Sequence, residues 1–105
     1  MLSDIKTWLG TTGLKVSEER FLKPPPFPYV IFMDGTEVSG ADDKNCIADR
    51  SISIELYSLK VDHISEKAIE DLLNEKVIKY KRNRTWLDTE MMFETMYDFN
   101  LIEKI

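Results

Sequence analysis

The sequence predicts an α+β fold, a mainly antiparallel sheet with two helices packed on one face. Two observations carry this. Apolar residues alternate with a period of two through Ser51–Leu59 and Met91–Phe99, whereas in Asp62–Lys76 they recur with helical spacing. The order helix, strands, helix, strands contains neither an internal repeat nor a βαβ rhythm, which disfavours a parallel sheet. At 105 residues, with 43% hydrophobic and 31% charged residues, the chain reads as an ordinary globular protein with one core. A single domain over residues 1–105 is expected, carrying a polar arm or long loop at about 36–50.

The opening reads as a short helix. Ser3 is placed to cap it, Asp4 suits its positive start, Leu2, Ile5, Trp8 and Leu9 share a face, and Gly10 ends it. Leu14–Leu22 mixes Val16, Phe21 and Leu22 with charges and reads as an edge strand. In Lys23-Pro24-Pro25-Pro26-Phe27-Pro28 the missing amide donors forbid helix and central strand alike. That tract is either a connector or a ligand for a partner. Tyr29–Met33 is a β-branched and aromatic strand, closed by the turn signal Asp34-Gly35.

Thr36–Arg50 turns polar and loses its period, and Ser51–Leu59 then sets Ile52, Ile54 and Leu56 on one face of a strand. Asp62–Lys76 is a helix with Ser65 as its cap, Glu66 in its first turn, an Ile64–Ile69 staple, and Ala68, Ile69, Leu72 and Leu73 as its buried stripe. Val77–Arg82 reads as a strand. Met91–Phe99 is the last one, continuing towards Leu101, with Met91, Phe93, Thr95, Tyr97 and Phe99 on one face.

Composition limits the chemistry. The longest apolar run, Phe27–Met33, is broken by Pro28 and falls far short of the roughly 20 residues of a membrane span. The N-terminus lacks the basic start and apolar stretch of a secretory signal, so synthesis in the cytoplasm is expected. A lone Cys46 and a lone His63 support neither an internal disulfide nor a Cys/His metal cluster. GxGxxG, Walker-type and GxSxG patterns are absent, and Asp42-Asp43 beside Asn45 does not have EF-hand spacing. No catalytic, cofactor or metal residue is expected, and the chain does not read as an enzyme.

A net charge of −5 argues against general coating of nucleic acid. Lys76, Lys79, Lys81, Arg82 and Arg84 nonetheless cluster within nine residues, next to Tyr80 and Trp86. They form either a solvated strand with charged edge protection or a local phosphate-facing patch. Met92 and Met96, opposite Phe93 and Tyr97, are suited to an adaptable subunit interface because methionine repacks readily.

Four segments in this order, FPYVIFM at Phe27–Met33, GADDKN at Gly40–Asn45, ISIELYS at Ile52–Ser58 and EMMFETMYDF at Glu90–Phe99, resemble a known family. It is that of the small tail-completion or head–tail joining proteins, tail-terminator-like, of prophages and siphophages of Gram-positive bacteria. The resemblance implies a structural subunit of a ring, expected to be six-fold, at the head–tail junction of a virion, partnered by further copies of itself, tail tube protein and head connector proteins. It implies no cofactor and no membrane. The arm, through Asp42, Asp43, Lys44, Asn45, Cys46 and Ile47, together with Met92 and Met96, would meet neighbouring subunits. Lys79, Lys81, Arg82 and Arg84 would be candidates for contact with DNA in the channel, although an acidic lumen is equally reasonable. The rival reading is a small monomeric adaptor or regulatory protein with one protein partner.

Overall fold

The computed structural model describes residues 4–39 and 47–104. In chain order these form α1 (Ile5–Gly10), β1 (Lys15–Glu18), β2 (Tyr29–Ser39), β3 (Ile47–Ser58), α2 (His63–Glu75), β4 (Lys81–Leu87) and β5 (Met92–Lys104). The sheet order is β1-β2-β3-β5-β4. Only the β1–β2 pair is parallel; the other three pairs are antiparallel.

Register builds the core. Val30, Leu56 and Thr95 form one row across β2, β3 and β5, and Phe32, Ile54 and Tyr97 form the next. Because side chains alternate across a strand, these rows share a face. Ile5 and Leu9 of α1 and Ile69 and Leu73 of α2 are buried with them in one cluster, so both helices cover the same face. Trp8 packs against that cluster from the side, as expected. Among the described residues no helix is long and apolar enough to cross a membrane.

Both helix caps are displaced from their expected places, by one residue in α1 and by three in α2. Asp4, not Ser3, caps α1, accepting from Thr7 N at 3.0 Å and from its hydroxyl at 2.7 Å. Asp62 caps α2 in the same way through Ser65, at 3.0 and 2.8 Å. A carboxylate with two oxygens can hold both the backbone amide and the hydroxyl of the residue three along, which a serine at the cap cannot. Since α2 starts at His63, Ile64 lies inside the helix, 85% exposed, and forms no staple with buried Ile69.

The strands differ more. Glu19, with φ 65°, ends β1 well short of Leu22. Asp34-Gly35 is no turn: both lie inside β2, in register with Ile52 and Ser51, and Asp34 accepts from Arg50 Nε at 3.1 Å. Pairing of β2 with β3 runs out to Ser39 and Ile47, and β5 follows β3 to Lys104, so a three-stranded ladder extends into the stretch read from sequence as polar and aperiodic. The segment 20–28 does act as a connector, and Phe21 and Phe27 pack on Tyr29 with ring centroids at 5.5 and 5.3 Å.

The expected strand Val77–Arg82 is instead a helix stop followed by a later strand. Ile78 N donates to Leu73 O at 2.9 Å and Val77 N to Asn74 O at 3.0 Å, the bonding pattern of a Schellman motif. Val77 takes the left-handed position, with φ 56°. Its motif usually holds glycine there, and a β-branched side chain strains it. Met91 is likewise outside its expected strand, in the turn before β5 with φ 55°. Because the Val77 side chain is 88% exposed, little packing is lost on removing it. Val77→Gly should therefore stabilise the protein by about 0.5–1 kcal/mol, measured as a raised denaturation midpoint at unchanged m-value.

Candidate functional site

The basic cluster divides between two faces. Arg82 and Arg84 share the covered face with Tyr97 and Thr95, their register partners on β5, and point their charges at α2. Glu66 of α2 is 2% exposed and accepts from Arg84 Nε at 2.8 Å, Arg84 Nη2 at 2.6 Å and Thr95 Oγ1 at 2.9 Å. Glu70, one turn on, accepts from Arg82 Nη1 at 3.0 Å and from the buried Tyr97 hydroxyl at 2.8 Å. Burial pushes the Glu66 carboxyl up, but the hydrogen bonds from Arg84 and Thr95 outweigh it and hold the group below the usual range. Burial and the neighbouring Glu70 push the Tyr97 phenol far above its ordinary value.

Lys81 opens β4 on the opposite face, in register with Asp98, and Lys79 is exposed ahead of the strand. Among the described residues neither lysine has a carboxylate within ion-pair distance. Thus the four candidate channel residues are not one patch. Two are committed inside the fold and two are free on the surface.

Of the candidate interface residues, Asp42, Asp43, Lys44, Asn45 and Cys46 lie outside the described residues. Ile47 begins β3, in register with Ser39 and Lys104. Met92 and Met96 lie on the face of β5 that no helix covers, half-buried, with Met96 in register with Glu55 and Asn83. The structure therefore brings the methionines onto the uncovered face, as their spacing predicts.

That face also holds a group the sequence reading missed. The Tyr57 hydroxyl lies 2.9 Å from Glu55 Oε1 and 2.7 Å from Glu94 Oε2. It has one proton to donate, so it satisfies one carboxylate while the other is best served by carrying a proton itself. Glu55 is that other one: burial, together with the charges of Glu94 and Asp98, pushes its carboxyl up despite the Tyr57 bond. Among the described residues no cation pairs with Glu55, Glu94 or Asp98. The period-two pattern already assigns Glu55 and Tyr57 to one side of β3, and Glu94 and Asp98 to one side of β5. Only the register, which sequence does not reveal, sets Tyr57 opposite Glu94.

No family model matches the chain, and no curated protein matches it in sequence. Among solved structures, a chain of one described as the virion of a native gene transfer agent (GTA) particle shares the architecture, with a TM-score of 0.61, 12% identity, and coverage of 100% of this chain and 89% of that chain. The likeness is one of fold.

Two outcomes follow from the charges. Arg84→Met should cost about 3 kcal/mol by stranding the Glu66 carboxylate in the interior, and adding Glu66→Met should recover part of that loss, both read from urea unfolding at pH 7. Glu55 has a raised folded-state pKa, so its contribution is favourable in acid and is lost as pH rises through that raised value. Glu55→Gln should accordingly raise the Tm at pH 7 and give a smaller gain near pH 4, whereas a gain independent of pH would separate Glu55 from the carboxylate cluster.

Proposed function

We propose that the chain is a structural protein of a phage-like virion and, more narrowly, a ring subunit at the head–tail junction that completes the tail or joins it to the head. The observation that carries this reading is the fold likeness over the whole chain to a chain of the GTA virion. The segments FPYVIFM, GADDKN, ISIELYS and EMMFETMYDF support the narrower role and a siphophage or prophage of a Gram-positive host. A sheet with helices on one side only also suits it, because the other side remains available to a neighbour.

In this reading the partners are further copies of the chain, six around the axis, with tail tube protein on one side and head connector proteins on the other. Met92 and Met96 are the interface residues on the uncovered face, and the segment containing Asp42–Ile47 reaches a neighbour. Contact with DNA in the channel falls to Lys79 and Lys81, since Arg82 and Arg84 are neutralised by Glu70 and Glu66. The role is assembly and not catalysis.

Particles made without this gene test the proposal directly by negative-stain imaging. Tail-less heads beside separate tails of irregular or unfinished length are expected. Normal, infectious particles would favour the monomeric adaptor.

A further inference from the structure

The ladder of β2, β3 and β5 runs on past the last pairings of β1 and β4 as an arm with two open edges. β1 leaves the outer edge of β2 after Phe32, where Glu19 turns the chain away at φ 65°. β4 joins the outer edge of β5 only at Lys81, opposite Asp98, because the left-handed Val77 ends α2 and residues 78–80 are not in a strand. Among the described residues, therefore, no strand pairs with the outer edge of β2 over residues 35–39 or with that of β5 over residues 100–104. These stretches lie at the same levels, since Gly35 and Asn100 flank Ser51, and Ser39 and Lys104 flank Ile47. An unpaired edge offers a row of amides and carbonyls to another strand, and proteins blunt such edges with short strands, charges or proline. The body of the sheet follows that rule, with only Lys15–Glu18 in β1 and the cations Lys81, Arg82 and Arg84 in β4. The arm does not. Neither open stretch contains proline, and each of its edge strands shows solvent a large apolar side chain on the uncovered face, Met33 at 46% and Ile102 at 75%.

We propose that these two edges join copies of the chain head to tail, with residues 100–104 of one subunit pairing in parallel with residues 35–39 of the next. Topology sets the direction. β2 and β5 each run antiparallel to β3 and hence parallel to each other, so a rotation about an axis along the arm brings β5 of one copy beside β2 of the next, in the same direction and at the same level. On this same edge β2 already accepts one parallel strand, β1, over residues 29–32. A second copy is the occupant that fits, because it closes both edges of every arm, whereas a strand from a foreign protein closes one and leaves the other open. A two-fold dimer through β5 against β5 leaves both β2 edges open. The inference rests on the ring reading for the presence of a neighbour and adds which strands meet.

Disulfide trapping in the concentrated full chain tests it, with Cys46→Ser as background and oxidised glutathione as oxidant. Gly35→Cys with Asn100→Cys sets two thiols at one level on the uncovered face, and a Cβ at Gly35 meets nothing closer than the Ser51 carbonyl oxygen at 3.9 Å. Within one copy β3 stands between them, which places their Cα atoms about 9–10 Å apart, beyond the roughly 7 Å that a disulfide spans. The bond can form only between copies. Gly35→Cys with Ile102→Cys reads a stagger of two residues. Oxidation should give one of these double variants a ladder of products from dimer upward on a non-reducing gel, lost on reduction, while every single variant stays monomeric. Monomers from both double variants would overturn the proposal, as would dimers from Asn100→Cys or Ile102→Cys alone, which indicate β5 against β5. A ladder alongside normal particles in the absence of the gene would remove the virion role and leave this pairing standing; tail-less heads with monomers from both double variants would do the reverse.

Discussion

Glu66 puts a carboxylate between a helix and a sheet, 2% exposed, and the covered face is arranged around the need to satisfy it. A buried charge persists only if it is paired and hydrogen-bonded. Arg84 reaches it from β4 with two nitrogens, and Thr95 donates from β5. A two-pronged guanidinium contact has a demanding geometry. It therefore ties the position of α2 to the register of β4 on β5, because a slip of one residue would turn Arg84 to the other face. Glu70, Arg82 and the Tyr97 hydroxyl repeat the arrangement one helical turn further on. The apolar cluster supplies most of the burial, and these polar contacts select the one arrangement in which the helix sits.

The consequence is an asymmetric sheet. On one side the charges of β4 and β5 are consumed by α2, and the apolar rows are closed by Ile5, Leu9, Ile69 and Leu73. On the other, no helix packs among the described residues. Tyr29 is covered by Phe21 and Phe27 from the connector and stacks on Tyr57 at 5.3 Å, while Glu55, Glu94 and Asp98 crowd together with no cation paired to them among the described residues. Repulsion among these acids is tolerated because Tyr57 bridges two of them and because a raised pKa lets Glu55 carry a proton at modest cost.

Periodicity made the architecture legible, and pairing partners set its limits. Ile52–Leu56, Ile69–Leu73 and Phe93–Phe99 each turn an apolar face to the core at their own period, and they lie in β3, α2 and β5 as that period puts them. The errors fall where bonds that composition does not reveal, distant in one case and local in another, decide the backbone. Asp34-Gly35 has the composition of a turn, yet Arg50 sixteen residues later holds Asp34 within a strand. Val77–Arg82 has the composition of a strand, yet the Schellman bonds from Ile78 and Val77 continue the end of the helix. Glu66 was read as an ordinary first-turn acid. Its spacing of three and seven from Ile69 and Leu73 places it on the buried stripe, which was the available signal, and a charge there requires a counter-charge somewhere in the chain.

The basic cluster shows why a count of charges along a sequence is a poor guide to a surface. Five cations in nine residues look like a phosphate patch on an acidic protein. Only Lys81, Arg82 and Arg84 lie on a strand, and its alternation sends Lys81 to one face and the two arginines to the other. The covered face then decides the matter for Arg82 and Arg84, whose nitrogens approach Glu70 and Glu66 to 3.0 and 2.6 Å. To bind phosphate they would have to abandon those carboxylates, one of which is buried, and the loss would exceed what a solvent-screened phosphate contact returns. Lys79 and Lys81 bear no such obligation. Any electrostatic attraction of this part of the molecule to a polyanion is thus left to Lys76, Lys79 and Lys81, the last of them in register with Asp98 on the neighbouring strand.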